Sequence, residues 1–373
     1  MNAAERAHLA ALAGFDLMTT TRLVALQVGR SPIEAFHVAS GAVAPSGSIG
    51  ALFDQQPELR RRWAASADKN QPADVAARCR DLAVHIVVPD DDEYPPQLID
   101  DPRRPALLFT QGCLGGLGMR RVGIVGTRNP TRRGTITATR FGQELAEAGV
   151  AVVSGLALGI DGAAHRGALS VPSGVPLAVV ANGHDQPYPR RHAGLWSDVA
   201  ARGVVLSEWP PGTKPEPFRF PQRNRILAAL SELLVVVESR ERGGSLITAR
   251  EAAERGVDVF AVPGPVDQRS SIGTNRLLED GAAPAASTDT VLAALGLDHR
   301  RAGRQAIDSR RIPSPQEASV LALVRERAQS IESVAVATGS TLGQAARTLA
   351  QLEHAGWLIE VGGWYESLEG LTR

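Results

Sequence analysis

The sequence predicts a doubly wound, mainly parallel α/β sheet, preceded by a helical segment and followed by a small winged-helix segment. Three observations carry this reading. Short continuous apolar runs, the mark of strands buried on both faces, alternate with helical patterns from residue 122 to residue 262. The clearest unit joins the run 233–238, a helical pattern at 246–254 and the run 257–262 into one strand–helix–strand element. From residue 316 onward the pattern changes to three helices and a hairpin.

Residues 1 to about 65 read as short helices. Leu9, Leu12, Leu23, Leu26, Ile33, Ala35 and Phe36 recur at roughly helical spacing, and Gly14, Gly29, Gly41 and Pro45 punctuate them. Such a bundle either contacts a DNA backbone or serves as a packing module. The polar stretch 66–74 reads as a linker. Strand candidates follow at 83–88 and 107–110, separated by the acidic run 90–93 and by Tyr94-Pro95-Pro96, which fixes an extended segment.

The main domain continues with a strand at 122–125 that runs into Gly126-Thr127-Arg128, then a helix at 135–148 carrying Phe141 and Leu145. A strand at 150–153 ends in Ser154-Gly155, and the glycine-rich turn 155–161 opens a helix that includes His165. Further strands are expected at 176–181 and 203–207. In the loop 240–245, Gly243 and Gly244 allow close approach of a ligand to backbone N–H groups, and Ser245 is the expected helix cap. The arginine-rich stretch 298–315 (Arg300, Arg301, Arg304, Arg310, Arg311) reads as a flexible basic linker. Helices are expected at 316–328, 331–337 and 342–355, with Ser330 and Thr341 as caps, Gly356 as a stop, and Gly362-Gly363 as the turn of a hairpin. The domain limits are then 1–70, 76–297, 298–315 and 316–373.

Composition narrows the function classes. The chain has 373 residues, 43% hydrophobic and 21% charged, with a formal net charge of zero. Nucleic-acid binding must therefore come from a local patch. Lys69 and Lys214 are the two lysines, and the remaining basic residues are arginines. Cys79 and Cys113 are too few for a disulfide framework or a zinc cluster. No signal peptide or long apolar run is evident, so a cytoplasmic protein without a membrane anchor is expected.

Ligands of an open α/β sheet bind beyond the C-terminal ends of its strands, where the motifs of this chain cluster. The first turn, GIVGTR at 123–128, lacks the dinucleotide fingerprint, and the second strand ends in Ser154 rather than an acid, which argues against NAD. No ATP-binding P-loop pattern occurs. Ser154, Asp161 and His165 invite a hydrolase reading, but no nucleophile-elbow motif is present; Asp161 and His165 are expected to orient the glycine turn and cap its helix. The basic residues Arg128, Arg190, Arg191, Lys214, Arg219, Arg223, Arg225, Arg240 and Arg242 fall on loops at one sheet edge. They suit a phosphate backbone, with Tyr188, Phe218 and Phe220 offered for stacking. The competing reading pairs several of them with Glu208, Glu216, Glu238 and Glu241, and leaves Asn224 and Arg225 wholly structural.

The motifs VGIVGTR (122–128), SGLALGIDGAAH (154–165), FPQRNRI (220–226), GSLITA (244–249) and VPG (262–264) resemble the DNA-processing protein A (DprA/Smf) family continuously from about residue 94 to 286. The N-terminal helices are similar to that family's sterile-alpha-motif-like or helix–hairpin–helix extension, and the C-terminal segment resembles its winged helix. The resemblance implies an extended Rossmann fold and a homodimer without established enzymatic activity. Such a protein binds single-stranded DNA, protects incoming strands during natural transformation, and loads a RecA-type recombinase on them; no cofactor or metal is expected. It implies strand contacts from Arg128, from Arg190 or Arg191, and from Lys214 and Phe218 or Phe220; Gly126, Thr127, Ser154, Gly155, Arg223, Asn224, Arg225, Gly244 and Ser245 complete the expected single-stranded DNA site. His192 departs from the asparagine frequent there in the family. The implied dimer contact lies at 272–284, with Leu277, Leu278 and Pro284.

A second reading is a nucleotide-processing enzyme of the phosphoribohydrolase type, for which Gly243-Gly244, Thr248 and Glu251 form a partial match. Base release from nucleoside monophosphates would separate it from a DNA-binding mediator. The C-terminal segment 314–373 holds four arginines and seven glutamates, a formal charge of −3. That charge disfavours duplex binding and favours a protein contact, for which Trp364 and Tyr365 are the exposed candidates on the hairpin.

Overall fold

The computed structural model describes residues 1–297 and 310–368, in two compact units, 1–297 and 298 onward. Arg300, Arg301 and Arg304 of the expected linker lie outside the described residues.

The first unit begins with six helices: α1 (Ala3–Ala13), α2 (Thr20–Gln27), α3 (Pro32–Ser40), α4 (Gly47–Gln55), α5 (Pro57–Lys69) and α6 (Pro72–Asp81). Capping boxes start α1 and α3, where Asn2 and Glu5, then Ser31 and Glu34, exchange side-chain and backbone hydrogen bonds. The stretch 66–74 is a correction to the sequence reading: it ends α5 and starts α6. Its polar residues mask an apolar stripe at i, i+4 spacing, Leu59, Trp63 and Ala67 in α5 and Val75 and Cys79 in α6, all buried. These helices share one core with residues in and beside the first two strands: Leu12, Leu26, Phe53 and Trp63 belong to a cluster that includes Val84, Val88, Leu107 and Phe109.

The sheet has nine strands: β1 (His85–Val87), β2 (Leu108–Gly112), β3 (Arg121–Val125), β4 (Ala151–Ser154), β5 (Pro176–Val179), β6 (Val204–Ser207), β7 (Leu233–Val236), β8 (Asp258–Ala261) and β9 (Ala283–Pro284). Their order is β1-β2-β6-β5-β4-β3-β7-β8-β9. β2 runs antiparallel to both β1 and β6, and the rest of the sheet is parallel. The connecting helices are α7 (Arg132–Glu147), α8 (Ile160–Ser170), α9 (Ala193–Arg202), α10 (Arg219–Leu230), α11 (Gly244–Ala253), α12 (Ile272–Glu279) and α13 (Thr288–Ala294).

Strand alternation assigns each face its helices. Val122, Ile124, Leu233 and Val235 pack with Phe141 and Leu145 of α7 and Val291 and Leu292 of α13. Val125, Leu234 and Val236 pack on the other face with Ile226, Leu227 and Leu230 of α10 and Ala249 and Ala252 of α11. Because β3 is followed by β4 on one side and paired with β7 on the other, the topological switch point lies between the β3 and β7 ends.

The second unit holds α14 (Pro315–Glu326), α15 (Ile331–Thr338), α16 (Leu342–His354) and a hairpin of β10 (Leu358–Val361) and β11 (Trp364–Ser367). Ser314, Ser330 and Thr341 cap the three helices. Gly362 and Gly363 both take positive φ, 61° and 89°, as a tight hairpin turn requires. The hairpin aromatics divide: Trp364 is half exposed, whereas Tyr365 is buried with Leu349, Leu352 and Trp357 and is not a surface candidate. The last linker arginines are anchored rather than free. Arg310 stacks 3.8 Å from the Trp357 ring centroid, and Arg311 pairs with Glu317 at 2.5 Å while its carbonyl accepts from Trp357 Nε1 at 2.9 Å.

Two histidines lie sealed around the sheet. His184 sits edge-on to Trp196 with Nε2 3.1 Å from the Val205 carbonyl oxygen, and burial depresses it to about 4; burial, helped by nearby His192 and Arg223, depresses His165 in α8 to about 3. Unfolded, both titrate near 6.5. Between about pH 6.5 and 4 the unfolded chain therefore binds protons that the folded chain refuses, so stability present above pH 6.5 is lost as pH falls. Urea unfolding across that window should show this loss, and His184→Gln should make the slope shallower by about 1.4 kcal/mol per pH unit. An unchanged slope in the variant would contradict the assignment.

Candidate nucleic-acid interface

The loops after β3, β4 and β5 converge with the first turn of α10. Beyond β3 the chain turns through Gly126 and Thr127, whose N–H donates to the Glu238 carbonyl at 2.8 Å, and exposes Arg128. The Arg128 guanidinium lies 4.8 Å from the centroid of the Phe220 ring, a cation–π distance. Phe220 in turn lies 5.7 Å from the ring of Tyr188, tilted by 46°. The Tyr188–Pro189 peptide is cis, and Arg190 and Arg191 follow on a short exposed turn. His192, next in sequence, is buried with Nδ1 3.0 Å from the Leu156 carbonyl oxygen.

Arg128, Gly155, Leu158, Asn182, Tyr188 and Phe220 line a cleft of about 40 Å³. Sites that enclose small molecules run to roughly 300–1,000 Å³. This one offers a cation and aromatic surfaces at an open edge rather than a chamber. Lys214 and Phe218 lie exposed on the loop leading to α10. Arg219 is committed internally: it donates to the Lys214 carbonyl at 2.7 Å, pairs with Glu216 at 3.1 Å, and lies 5.1 Å from the Phe218 ring.

Four of the expected contact side chains are interior. Arg223 is 4% exposed, donates to the Val179 carbonyl, and lies so close to Gly155 that no Cβ fits there. Burial lowers its guanidinium to about 10, opposed by Asp161, whose Oδ2 accepts from the Gly155 N–H at 3.2 Å. Arg225 is 5% exposed, pairs with Glu208 at 2.5 Å, and donates to Thr20 Oγ1 of α2 at 3.1 Å. Ser154 is buried and its hydroxyl donates to the Ile124 carbonyl at 2.6 Å. Ser245 is buried, donates to Ser239 Oγ at 2.9 Å, and does not cap α11, whose N-cap is Gly243. These side chains hold the loops; they do not present themselves to a strand. Asn224, between the two buried arginines, is half-buried, and Gly244 is exposed but stands past the β7 end, outside the cleft.

The Ser154, Asp161 and His165 trio has no hydrolytic arrangement, since the serine hydroxyl is turned to a carbonyl and the histidine is neutral and sealed. Asp161 does orient the glycine turn, but neither it nor His165 caps α8, whose N-cap is Gly159 without a side-chain bond. Thr248, part of the partial phosphoribohydrolase match, is buried. Leu158 and Asn182, which lie in the strand-end motifs 154–161 and 182–184, also line the cleft. Glu238, a possible arginine partner from sequence, carries one further signal: it is a carboxylate closing an otherwise apolar strand run. Leu277 and Leu278 are half-buried and Pro284 is exposed at the β9 edge of the sheet. Among the described residues no cluster of three or more His, Cys, Asp or Glu side chains is placed to hold a metal ion, and no helix is long and apolar enough to cross a membrane.

A family model described as DNA recombination-mediator protein A matches residues 85–296. Protein Smf of Escherichia coli (strain K12) is 36% identical over 290 residues, covering 76% of this chain and 77% of Smf. The X-ray structure of DNA processing protein A (DprA) from Streptococcus pneumoniae superposes with a TM-score of 0.64 at 30% identity, covering 79% of this chain and 98% of that one. DNA processing protein A from Helicobacter pylori, whose structure is described for its single-stranded DNA binding mode, superposes with a TM-score of 0.52 at 27% identity, covering 58% of this chain and 98% of that one. The matched span takes in the whole nine-stranded sheet and every loop of the cleft. The chain therefore belongs to the DNA recombination-mediator protein A (DprA/Smf) family.

Proposed function

We propose that the chain binds single-stranded DNA across the strand ends and acts without catalytic activity, protecting incoming strands and loading a RecA-type recombinase on them during natural transformation in the cytoplasm. The observation that carries this reading is the stack of Arg128 over Phe220, with Tyr188 beside it. Aromatic faces accept bases without regard to sequence, and a guanidinium beside them meets the phosphate between. Arg190 or Arg191, with Lys214, supplies the flanking phosphate contacts, and Phe218 a further stacking surface. A chain of zero net charge gains its affinity from this local group alone. The reading agrees with the single-stranded DNA binding described for the H. pylori protein.

Arg128→Ala should weaken binding of a labelled single-stranded oligonucleotide by ~1–3 kcal/mol at fixed salt, measured by fluorescence anisotropy. Loading of a RecA-type recombinase onto the same oligonucleotide should fall in parallel. Unchanged affinity in a folded variant would sink the assignment.

The C-terminal segment, described from 310 to 368, acts as a winged helix that contacts protein rather than duplex DNA in this reading. Its candidate recognition helix, α16, carries Arg347 and His354 against Glu353. Removing 314–373 should leave single-strand affinity within a few fold, since the cleft residues lie upstream. Loss of binding in a folded truncation, or duplex binding by the segment at physiological salt, would refute this.

Two chains associate through the β9 edge and α12, using Leu277, Leu278 and Pro284. Light scattering should report a dimer at tens of micromolar, roughly where a standard-sized interface holds; a monomer at that concentration would count against it.

A further inference from the structure

A doubly wound sheet leaves an anion site at its switch point, where the first helix presents unpaired N–H groups and the positive end of its dipole. In this chain that place is the N-terminus of α7, beside the end of β7. It is already filled. Glu238, two residues past β7 and 7% exposed, directs its carboxylate there: Oε2 accepts from the Thr131 N–H at 2.9 Å and Oε1 from Thr131 Oγ1 at 2.5 Å. Thr131 is the N-cap of α7, and its Oγ1 accepts from the Gly134 N–H at 2.9 Å. The carboxylate lies so close to Gly134 that a Cβ at that position would collide with it. The carbonyl of the same Glu238 accepts from the Thr127 N–H at 2.8 Å.

One residue thus grips the β3–α7 turn at both ends, Thr127 by its main chain and Thr131 by its side chain, with Arg128 between them. We propose that Glu238 is a built-in anion that closes the nucleotide-phosphate site of this sheet and positions Arg128 for a strand lying one to two strands away, over β4 and β5. It is a specificity-determining and positioning residue. The closing role stands on the geometry alone; the positioning role rests on the single-stranded DNA reading above.

The chemistry makes the two roles separable. Glu238→Ala opens a small anion hole at a helix N-terminus and removes the grip on Thr131. Glu238→Gln keeps the volume but loses the charge, and turns one amide N–H against a donor at Thr131. In Glu238→Ala, inorganic phosphate at about 20 mM and constant ionic strength should raise the melting temperature by several degrees more than in the wild type, because it binds only the opened site. Glu238→Gln should show no such gain, since the site is still filled. Both variants should bind the oligonucleotide about fivefold or more weakly than wild type. Equal phosphate responses in wild type and Glu238→Ala would overturn the closing role. Wild-type oligonucleotide affinity in Glu238→Gln would overturn the positioning role, and this variant decides the matter if Glu238→Ala fails to fold. If the wild type binds no oligonucleotide, the functional reading fails, while the phosphate comparison still tests whether Glu238 closes the site.

Discussion

A guanidinium sealed in the interior joins the loops that make the cleft. Arg223 reaches from α10 to the end of β5 through the Val179 carbonyl, presses flat against Gly155 at the end of β4, and balances Asp161 in the first turn of α8. A buried charge of this kind is tolerable only beside an opposite charge, which Asp161 supplies; the Arg223 Nε itself is buried without a hydrogen-bond partner. Its placement determines where α10 begins, and so where Phe220 stands one turn earlier under Arg128. The exposed chemistry of the edge is a consequence of that interior contact.

The same α10 shows why part of the site was hidden in the sequence. In the string FRFPQRNRI the arginines read as surface cations, with Arg225 alone also open to a structural reading, and the polar spacing offers no contrary sign for Arg223 at first glance. Yet Arg223, Ile226, Leu227 and Leu230 fall at i, i+3, i+4 and i+7, the stripe of a helix face turned to the core. Arg223 extends that stripe by one position, and burial follows. Arg128, Phe220 and Tyr188 were legible for the opposite reason: each lies next to a strand end or a proline.

The fold was legible wherever one pattern dominated. Four-residue apolar runs such as Leu233–Val236 admit few alternatives to a strand buried on both faces. The stretch 66–74 misled because its apolar positions are spread across two helices and a break at Asn70, so a local window sees polarity and the stripe spans beyond it. The identity of the ligand at the switch point was also beyond a local window. The absence of a dinucleotide fingerprint excluded one occupant, but the occupant supplied by the chain itself comes from Glu238, more than a hundred residues after the turn it completes.

The core shared by the N-terminal helices and the first strands bears on the order in which the molecule can be built. Trp63, Leu12 and Phe53 share one buried cluster with Leu107 and Phe109, which lie beyond the last of those helices. During synthesis the six helices therefore emerge with an unfinished apolar surface that stays open until about residue 110 has left the ribosome. The strand that covers it, β2, gains its own second neighbour from β6, nearly a hundred residues later. Contacts of such separation are closed late and against a larger loop entropy. The apolar face of the N-terminal helices is thus sealed only by residues that follow them in the chain, and until those arrive it is open to wrong contacts.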